Sequence, residues 1–344
     1  MLQRSHHLAR WSSSLALGVP LLLWCWLPCL QGEGRLAWEW LLGSQPQRLF
    51  ILLPGLLYLL LASRHLRSPA WFLLLAGSVL LVATEMAATV PWRPVPLWRP
   101  TAEPAATWRI VTLNVHEAGP DACLPAILRL EPDAVVLQEV AGFRLPAWRA
   151  AAAQRGWTLA AEPLLSGSGW IQTVILSRRS LTPLPPVQSI NPLTGRIRRF
   201  PRVCLAKPAA QPIILIGVHL KSVPRNDGFE AFRASWDARW LQAVQLAAAV
   251  RPAPLPVLVA GDCNATPTDR ALNPLKEVLR DAWPQVGFGL GATFSSERPA
   301  LRIDYLWHGP GLQPLRAGRL APIPDSDHLG VWGDFGVFVV NPKF

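Results

Sequence analysis

Polar side chains stand at or just after the ends of several apolar, strand-like segments in the later part of the chain. A single carboxylate, amide or imidazole there means little, because Asp and Asn are common wherever a chain turns. A whole set in successive segments indicates instead that the side chains share one face. The set comprises Asn114 in TLNV, Glu139 in VLQEV, His219 in IGVHL, Asp262 and Asn264 in GDCN, Asp304 in RIDY, and Asp327 with His328 in SDH.

The segment LVAGDCNATPTD, residues 258–269, is open to two interpretations when taken alone. Asp262 and Asn264 are two residues apart, so in an extended chain they point to the same side and Cys263 points to the other. The pair either closes a turn or faces a substrate. The polar residues at the other strand ends favour a substrate.

Apolar runs alternate with helix-like periodic stretches from about residue 105 onward, which predicts a layered α/β or α+β domain. Two sheets packed face to face, with helices outside, would use this number of strands. The predicted strands are 108–115, 134–138, 170–177, 203–206, 212–220, 256–260, 303–307 and 333–340, and the predicted helices are 122–130, 145–155 and 229–250.

In their order along the chain, the motifs LNV, QEV, HL, GDCN, RIDY and SDH resemble those of the endonuclease/exonuclease/phosphatase superfamily. Its members include deoxyribonuclease I, abasic-site endonucleases, neutral sphingomyelinases and inositol polyphosphate 5-phosphatases. The resemblance implies an α+β fold, a four-layered α/β sandwich in which two packed mixed β-sheets are flanked by helices. It places the site at one end of the two sheets.

The reaction implied by the resemblance is hydrolysis of a phosphoester by water with a divalent metal. Such a site must neutralise phosphate charge, deliver a water and help the leaving oxygen depart. Glu139 is the expected metal ligand, since a hard carboxylate suits Mg²⁺, with Mn²⁺ as the alternative ion. Asn114 is assigned to the same metal group, where it would orient Glu139 or touch the phosphate, and Asp327 would complete the metal shell.

The remaining members of the set are expected to act on the water and the phosphate. His328 is the candidate acid or base, or a source of positive charge, with Asp304 holding its ring. His219 matches a histidine of the deoxyribonuclease and sphingomyelinase branches, where it assists the phosphate or the leaving group. Asp262 would orient or deprotonate the water, and Asn264 would hold a phosphate oxygen.

The first hundred residues have a different composition, with 8 basic and 3 acidic residues against 25 and 19 in residues 101–344. Three apolar runs predict transmembrane helices at about 13–31, 48–63 and 71–90, although a cleaved signal peptide and a buried hairpin are the alternatives. The predicted organisation is a membrane region at 1–92, a Pro-rich linker at 93–106 and a catalytic domain at 107–344. The predicted location is the bacterial inner membrane, with the domain outside the cytoplasm.

The sequence therefore predicts a membrane-anchored, metal-dependent phosphoesterase, most simply a phosphodiesterase. Its expected partners are the lipid bilayer and a phosphoester substrate, and no protein partner is evident. A nuclease and a phospholipid or sphingomyelin phosphodiesterase are both open, as is a non-catalytic binding protein on the same fold. The abasic-repair branch is disfavoured because His219 is present and the two tyrosines, Tyr58 and Tyr305, are not in the middle of the domain.

Overall fold

The computed structural model describes residues 106–161, 171–190, 197–208, 210–223 and 228–338, together with the single residue Ala76. Its strands are β1 Ala106–Asn114, β2 Ala134–Ala141, β3 Thr158–Ala161, β4 Ile171–Ser177, β5 Ser180–Ile190, β6 Ile197–Ala206, β7 Ile213–His219, β8 Val257–Asp262, β9 Arg280–Asp281, β10 Asp304–His308, β11 Leu312–Arg319 and β12 Val331–Val337. Its α-helices are α1 Pro120–Leu128, α2 Leu145–Ala153, α3 Gly228–Val250, α4 Asn273–Lys276 and α5 Trp283–Val286.

The strands form two mixed sheets. The first sheet has the order β11-β12-β1-β2-β4-β3 and the second has the order β5-β6-β7-β8-β10-β9. Each has one parallel pair near its centre, β1 with β2 in the first and β7 with β8 in the second. Because parallel neighbours end at the same edge, the last residues of these four strands lie at one end of their sheets.

The central strands are buried on both faces, which explains why their sequences are nearly continuous apolar runs. Trp108 and Ile110 of β1 pack in the core between the sheets with Leu215 and Leu258 of the second sheet. The residues that alternate with them face the helices. On the first sheet Val111 and Leu113 contribute to a cluster with Leu124 of α1 and Trp148 of α2, and on the second Ile216 and Val259 do so with Leu246 of α3. The layers are therefore helix, sheet, sheet and helix.

Helix α3 holds the chain that follows β7. Arg239, which is fully buried, donates from Nη1 to the carbonyl oxygen of Lys221 at 3.2 Å and to Ser235 Oγ at 2.9 Å. Gln242 Oε1 accepts from the backbone nitrogen of Lys221 at 2.9 Å. These contacts fix the segment immediately after His219, and so the position of that histidine at the strand end.

The fold prediction requires one correction. Two packed mixed sheets with helices are present, but the prediction placed three transmembrane helices before them. Within the part of the chain that the structure describes, no helix is long and apolar enough to cross a membrane. The predicted spans and the Pro-rich linker fall outside the described residues, apart from Ala76 and Ala106. The domain boundaries and the localisation stay predictions.

Candidate active site

Strand register brings the sequence-predicted residues of the second sheet into one row. In the parallel pair of β7 and β8, His219 is the partner of Asp262. In the antiparallel pair of β8 and β10, Asp262 is the partner of Asp304. On the first sheet Asn114 is the partner of Gln138, so Glu139 is the next residue along β2. All of these side chains are thereby placed at the same end of their sheets.

Gly261 is required where β8 approaches β7. Its φ is 148°, and a Cβ atom there would lie 1.9 Å from the carbonyl oxygen of Val218. Only glycine avoids this clash, because it has no Cβ and tolerates positive φ. The glycine of GDCN therefore lets β8 pair closely with β7 directly beside Asp262.

Asn114 links the two sheets. Its Nδ2 donates to Glu139 Oε1 at 2.9 Å and to Asp262 Oδ2 at 3.2 Å. Its Oδ1 accepts from the backbone nitrogen of His116 at 3.1 Å, and its carbonyl oxygen accepts from Ser326 Oγ at 2.7 Å. The side chain is fully buried, and both ends of the amide are occupied. Asn114 is therefore placed to orient Glu139 and Asp262, and its assignment to the metal group stays a prediction.

Asp262 is at the centre of the cluster and is 1% exposed. Its Oδ1 accepts from the backbone nitrogen of Asn264 at 2.7 Å, and its Oδ2 accepts from Asn264 Nδ2 at 3.2 Å. Burial and the neighbouring charge of Asp304 raise its pKa to about 7, although His328 and the hydrogen bonds from Asn264 and Asn114 act in the other direction. Asp262 can thus exchange a proton near neutral pH.

His328 is held by Asp304. Its Nδ1 lies 2.9 Å from Asp304 Oδ2, and its Nε2 lies 3.9 Å from Asp262 Oδ2. The ring also packs against Phe294, with 4.9 Å between the ring centroids. Burial alone would lower the pKa of His328, but the charge and the hydrogen bond of Asp304, with smaller contributions from Asp262 and Asp327, raise it to about 10. His328 therefore carries a positive charge at neutral pH.

His219 has a cation, Arg198, as its partner, whereas His328 has an anion. Arg198 Nη2 lies 2.9 Å from His219 Nδ1, and His219 Nε2 lies 3.5 Å from Glu139 Oε1 and 3.8 Å from Asp262 Oδ2. Burial, followed by the charge of Arg198, lowers the pKa of His219 well below its ordinary value. His219 is thus uncharged at neutral pH.

Asn264 and Asp327 complete the predicted set. Asn264 Nδ2 donates to the carbonyl oxygen of Leu220 at 3.1 Å as well as to Asp262, so its amide hydrogens already hold protein oxygens. Asp327 Oδ1 lies 3.8 Å from His328 Nε2, and it is buried without a hydrogen-bond partner among the described residues. The structure therefore gathers all of the sequence-predicted residues in one cluster.

Three residues of the cluster have positive φ angles, which residues other than glycine seldom adopt. The φ angles are 44° at His116, 56° at Glu139 and 48° at Asn264. Such conformations cost free energy and persist where the surrounding contacts hold them, which is common at functional sites. Here the hydrogen bonds of Asn114 and Asp262 supply those contacts.

Sequence reasoning missed two members of the cluster, His116 and Arg198. His116 Nδ1 lies 3.4 Å from Glu139 Oε2 and 3.7 Å from Asp327 Oδ1. It directly follows LNV, so its position beside a recognised motif was an available signal. Arg198 lies in the basic run RIRRF, which the sequence alone does not distinguish from solvated arginines.

Two groups of described residues offer ligand atoms within 4.8 Å of one another and could hold a metal ion. They are Glu139 with His219 and Asp262, and Asp262 with Asp304 and His328. An imidazole nitrogen binds a metal only when it carries no proton. His219 accepts at Nδ1 from Arg198 and so has its proton on Nε2, which leaves the carboxylates of Glu139 and Asp262 as the available ligands of the first group.

Two carboxylates have oxygen atoms that are available to bind a divalent ion. Glu139 is partly exposed beside the buried cluster, and Asp327 has the buried, unpartnered Oδ1. Hard oxygen donors of this kind fit Mg²⁺, which takes one or two carboxylates and keeps several waters. The residues present are therefore compatible with a divalent ion held by Glu139 and Asp327, whose carboxylates lie 3.4 and 3.7 Å from His116 Nδ1.

Acids, amides and imidazoles gathered at the ends of strands in a two-sheet sandwich define the class as a phosphoester-hydrolysing enzyme. A model of the Endonuclease/Exonuclease/phosphatase family matches residues 111–328, and the chain belongs to this family. The family is generally dependent on a divalent metal. No match was found among the curated proteins with which the chain was compared.

Solved structures share the fold at low sequence identity. An endonuclease/exonuclease/phosphatase from Beutenbergia cavernae DSM 12333 is 21% identical with a TM-score of 0.52, over 67% of this chain and 72% of that chain. The 3'-5' exonuclease NExo from Neisseria meningitidis is 19% identical with a TM-score of 0.52, over 66% and 99%. A humanized TDP2 of D. rerio is 20% identical with a TM-score of 0.51, over 67% and 99%.

Proposed function

We propose that the protein is a Mg²⁺-dependent phosphodiesterase whose substrate is nucleic acid. The observation that carries the proposal is the arrangement around Asp262. Its Oδ2 lies 3.8 Å from His219 Nε2 and 3.9 Å from His328 Nε2. A buried carboxylate between two imidazole donors is suited to activating a water against a negatively charged phosphate.

In the proposed reaction the oxygen of water forms a bond to phosphorus, and the bond from phosphorus to the leaving oxygen breaks. The proton of the water passes to Asp262, whose pKa of about 7 makes the carboxylate available as a base. The leaving oxygen takes a proton from solvent. His328 remains positively charged and stabilises the additional negative charge on the phosphate oxygens.

Glu139 and Asp327 are the residues that would hold the divalent ion. The ion, when bound, would neutralise phosphate charge and polarise the phosphoryl group. Asn114 fixes Glu139 by the 2.9 Å hydrogen bond to Oε1. Mn²⁺ is the alternative ion, since it accepts the same oxygen ligands.

Charge favours nucleic acid over a zwitterionic headgroup such as that of sphingomyelin. Residues 101–344 contain 25 basic and 19 acidic residues, an excess of 6 positive charges. A basic surface attracts a phosphate backbone, which carries one charge for every nucleotide. The lipid alternative would gain from a membrane anchor that holds the site near headgroups, and the vesicles in the substrate panel below test it directly.

The test is a substrate panel on the purified protein. Single- and double-stranded DNA, RNA, phospholipid and sphingomyelin vesicles and bis(p-nitrophenyl) phosphate are each incubated with Mg²⁺, with Mn²⁺ and with a chelator. We expect cleavage of nucleic acid that is lost with the chelator and in His328→Ala, while Arg251→Gln, a change at an exposed arginine, leaves it intact. Turnover of lipid alone would overturn the nuclease assignment, and a folded protein inactive on the whole panel would overturn the phosphodiesterase.

A further inference from the structure

The two histidines that flank Asp262 are held in opposite ways. Both present Nε2 to Asp262 and both are oriented through Nδ1. Asp304 is the partner of His328 and Arg198 is the partner of His219, each at 2.9 Å. One ring is therefore tied to an anion and the other to a cation.

The chemistry of the partners fixes where each ring carries its protons. A carboxylate accepts, so Nδ1 of His328 donates to Asp304. A guanidinium has only donors and keeps its charge, so Nδ1 of His219 must accept from Arg198 with a free lone pair. The single ring proton of His219 then lies on Nε2, which faces Glu139 and Asp262.

Arg198 reaches His219 because β6 and β7 are antiparallel neighbours. Arg202 of β6 is the partner of Ile216 of β7, so the chain before Arg202 lies beside the chain after Ile216. Arg198 and His219 are four and three residues from these two positions. His219 is 7% exposed, and a hydrogen bond is stronger in such a buried site than in water, so the contact with Arg198 favours one tautomer.

We propose that Arg198 is a positioning residue that holds His219 as an Nε2–H donor, so that His219 hydrogen-bonds a phosphate oxygen. The inference deepens the phosphodiesterase proposed above and rests on it for the identity of the acceptor. It gives the two imidazoles opposite roles at Nδ1, because His328 donates there to Asp304 and His219 accepts there from Arg198. It also removes His219 from the metal ligands.

The test reads the ring protons directly in the whole protein. Histidine is labelled with ¹⁵N, and the His219 signals are assigned by their loss in His219→Asn. We expect Nε2 protonated and Nδ1 unprotonated in the wild type, and averaging between the two tautomers in Arg198→Ala. Lysine, like arginine, donates hydrogen bonds and cannot accept them, so Arg198→Lys is expected to restore the single tautomer. The control Arg251→Gln is expected to leave the tautomer unchanged.

Activity on a DNA substrate gives the second readout. Loss of a partner that orients an imidazole costs about 10- to 100-fold, so Arg198→Ala is expected to lower kcat by that factor with KM little changed, and Arg198→Lys to recover most of it. A proton on Nδ1 of His219 in the wild type, or an unchanged tautomer in Arg198→Ala, would overturn the inference. A protein with the expected tautomer but no phosphodiesterase activity would instead overturn the proposed function alone.

Discussion

Asp262 is at the centre of the hydrogen-bond network of the candidate site. Asn264 donates to both of its oxygens, and Asn114 donates to Oδ2 from the other sheet. Its pKa of about 7 arises first from burial and then from the charge of Asp304, so the protonated and the ionised carboxyl group are both populated at neutral pH. The sequence identified this residue from GDCN, but the raised pKa depends on burial and neighbours that no local motif contains.

The pairing of His328 with Asp304 predicts a pH-dependent contribution to stability. The pKa of His328 is 6.5 as an ordinary value and about 10 in the folded protein. Its stabilising contribution is therefore fully present below pH 6.5 and is lost as the pH rises through about 10. Urea denaturation in the presence of chelator measures the free energy of unfolding of the wild type and of His328→Gln. We expect the wild type to be the more stable, and the difference to decrease between pH 6.5 and about pH 10 by up to about 1.4 kcal/mol per pH unit. A difference that is constant from pH 6 to pH 10 would contradict the assignment.

Glu139 is the residue on which metal binding should depend. Substitution Glu139→Gln keeps the shape of the side chain but removes the negative charge, so we expect Mg²⁺ and Mn²⁺ to bind at least about 10-fold more weakly by calorimetry. Glu277→Gln is the matched control, because Glu277 is a surface carboxylate that is 70% exposed. Equal metal affinity in the wild type and Glu139→Gln would place the ion elsewhere.

The elements missed by sequence reasoning are mostly at sheet edges. Strands β5 and β11 are the outer strands of the second and first sheets, and both contain proline. Proline lacks a backbone donor, so within sheets it is confined largely to edges, and there it hides the strand pattern. The central strands were predicted because burial on both faces leaves a continuous apolar run.

The close pairing of β8 with β7 makes Gly261 a sensitive position. In Gly261→Ala the new Cβ would meet Val218 O at 1.9 Å with φ at 148°, and we expect a loss of about 3 kcal/mol or more in the free energy of unfolding. Gly156→Ala is the control, because Gly156 also has positive φ, at 66°, but nothing lies within 4 Å of its added Cβ. Its expected cost is about 1 kcal/mol. Similar unfolding free energies for the two variants would show that β8 can move away from β7.

At the scale of the molecule, the candidate site exists only because two sheets meet at one end. The first sheet supplies Asn114 and Glu139, and the second supplies His219, Asp262 and Asp304. The hydrogen bond from Asn114 Nδ2 to Asp262 Oδ2 crosses between them at 3.2 Å. A shift of one sheet against the other would separate Asn114 and Glu139 from His219 and Asp262.

The positive charge of the domain predicts a salt dependence of substrate binding. Nucleic acid binding releases counterions, so the logarithm of the binding constant should fall linearly with the logarithm of salt concentration, by about 0.9 for each duplex phosphate contacted. Fluorescence anisotropy with labelled DNA and the His328→Ala variant measures this slope without cleavage. The KM for bis(p-nitrophenyl) phosphate, which has a single phosphate, serves as the control and is expected to change little. A DNA slope near zero would argue against a nucleic acid substrate.

The sequence by itself determined the family, most of the candidate site residues and the central strands, because short motifs in a fixed order and continuous apolar runs are local properties of the chain. The tertiary structure decided which residues touch. It paired His219 with Arg198, raised the pKa of Asp262 and brought His116 beside Glu139. These contacts depend on strand register, burial and the packing of two sheets, which join residues far apart in sequence.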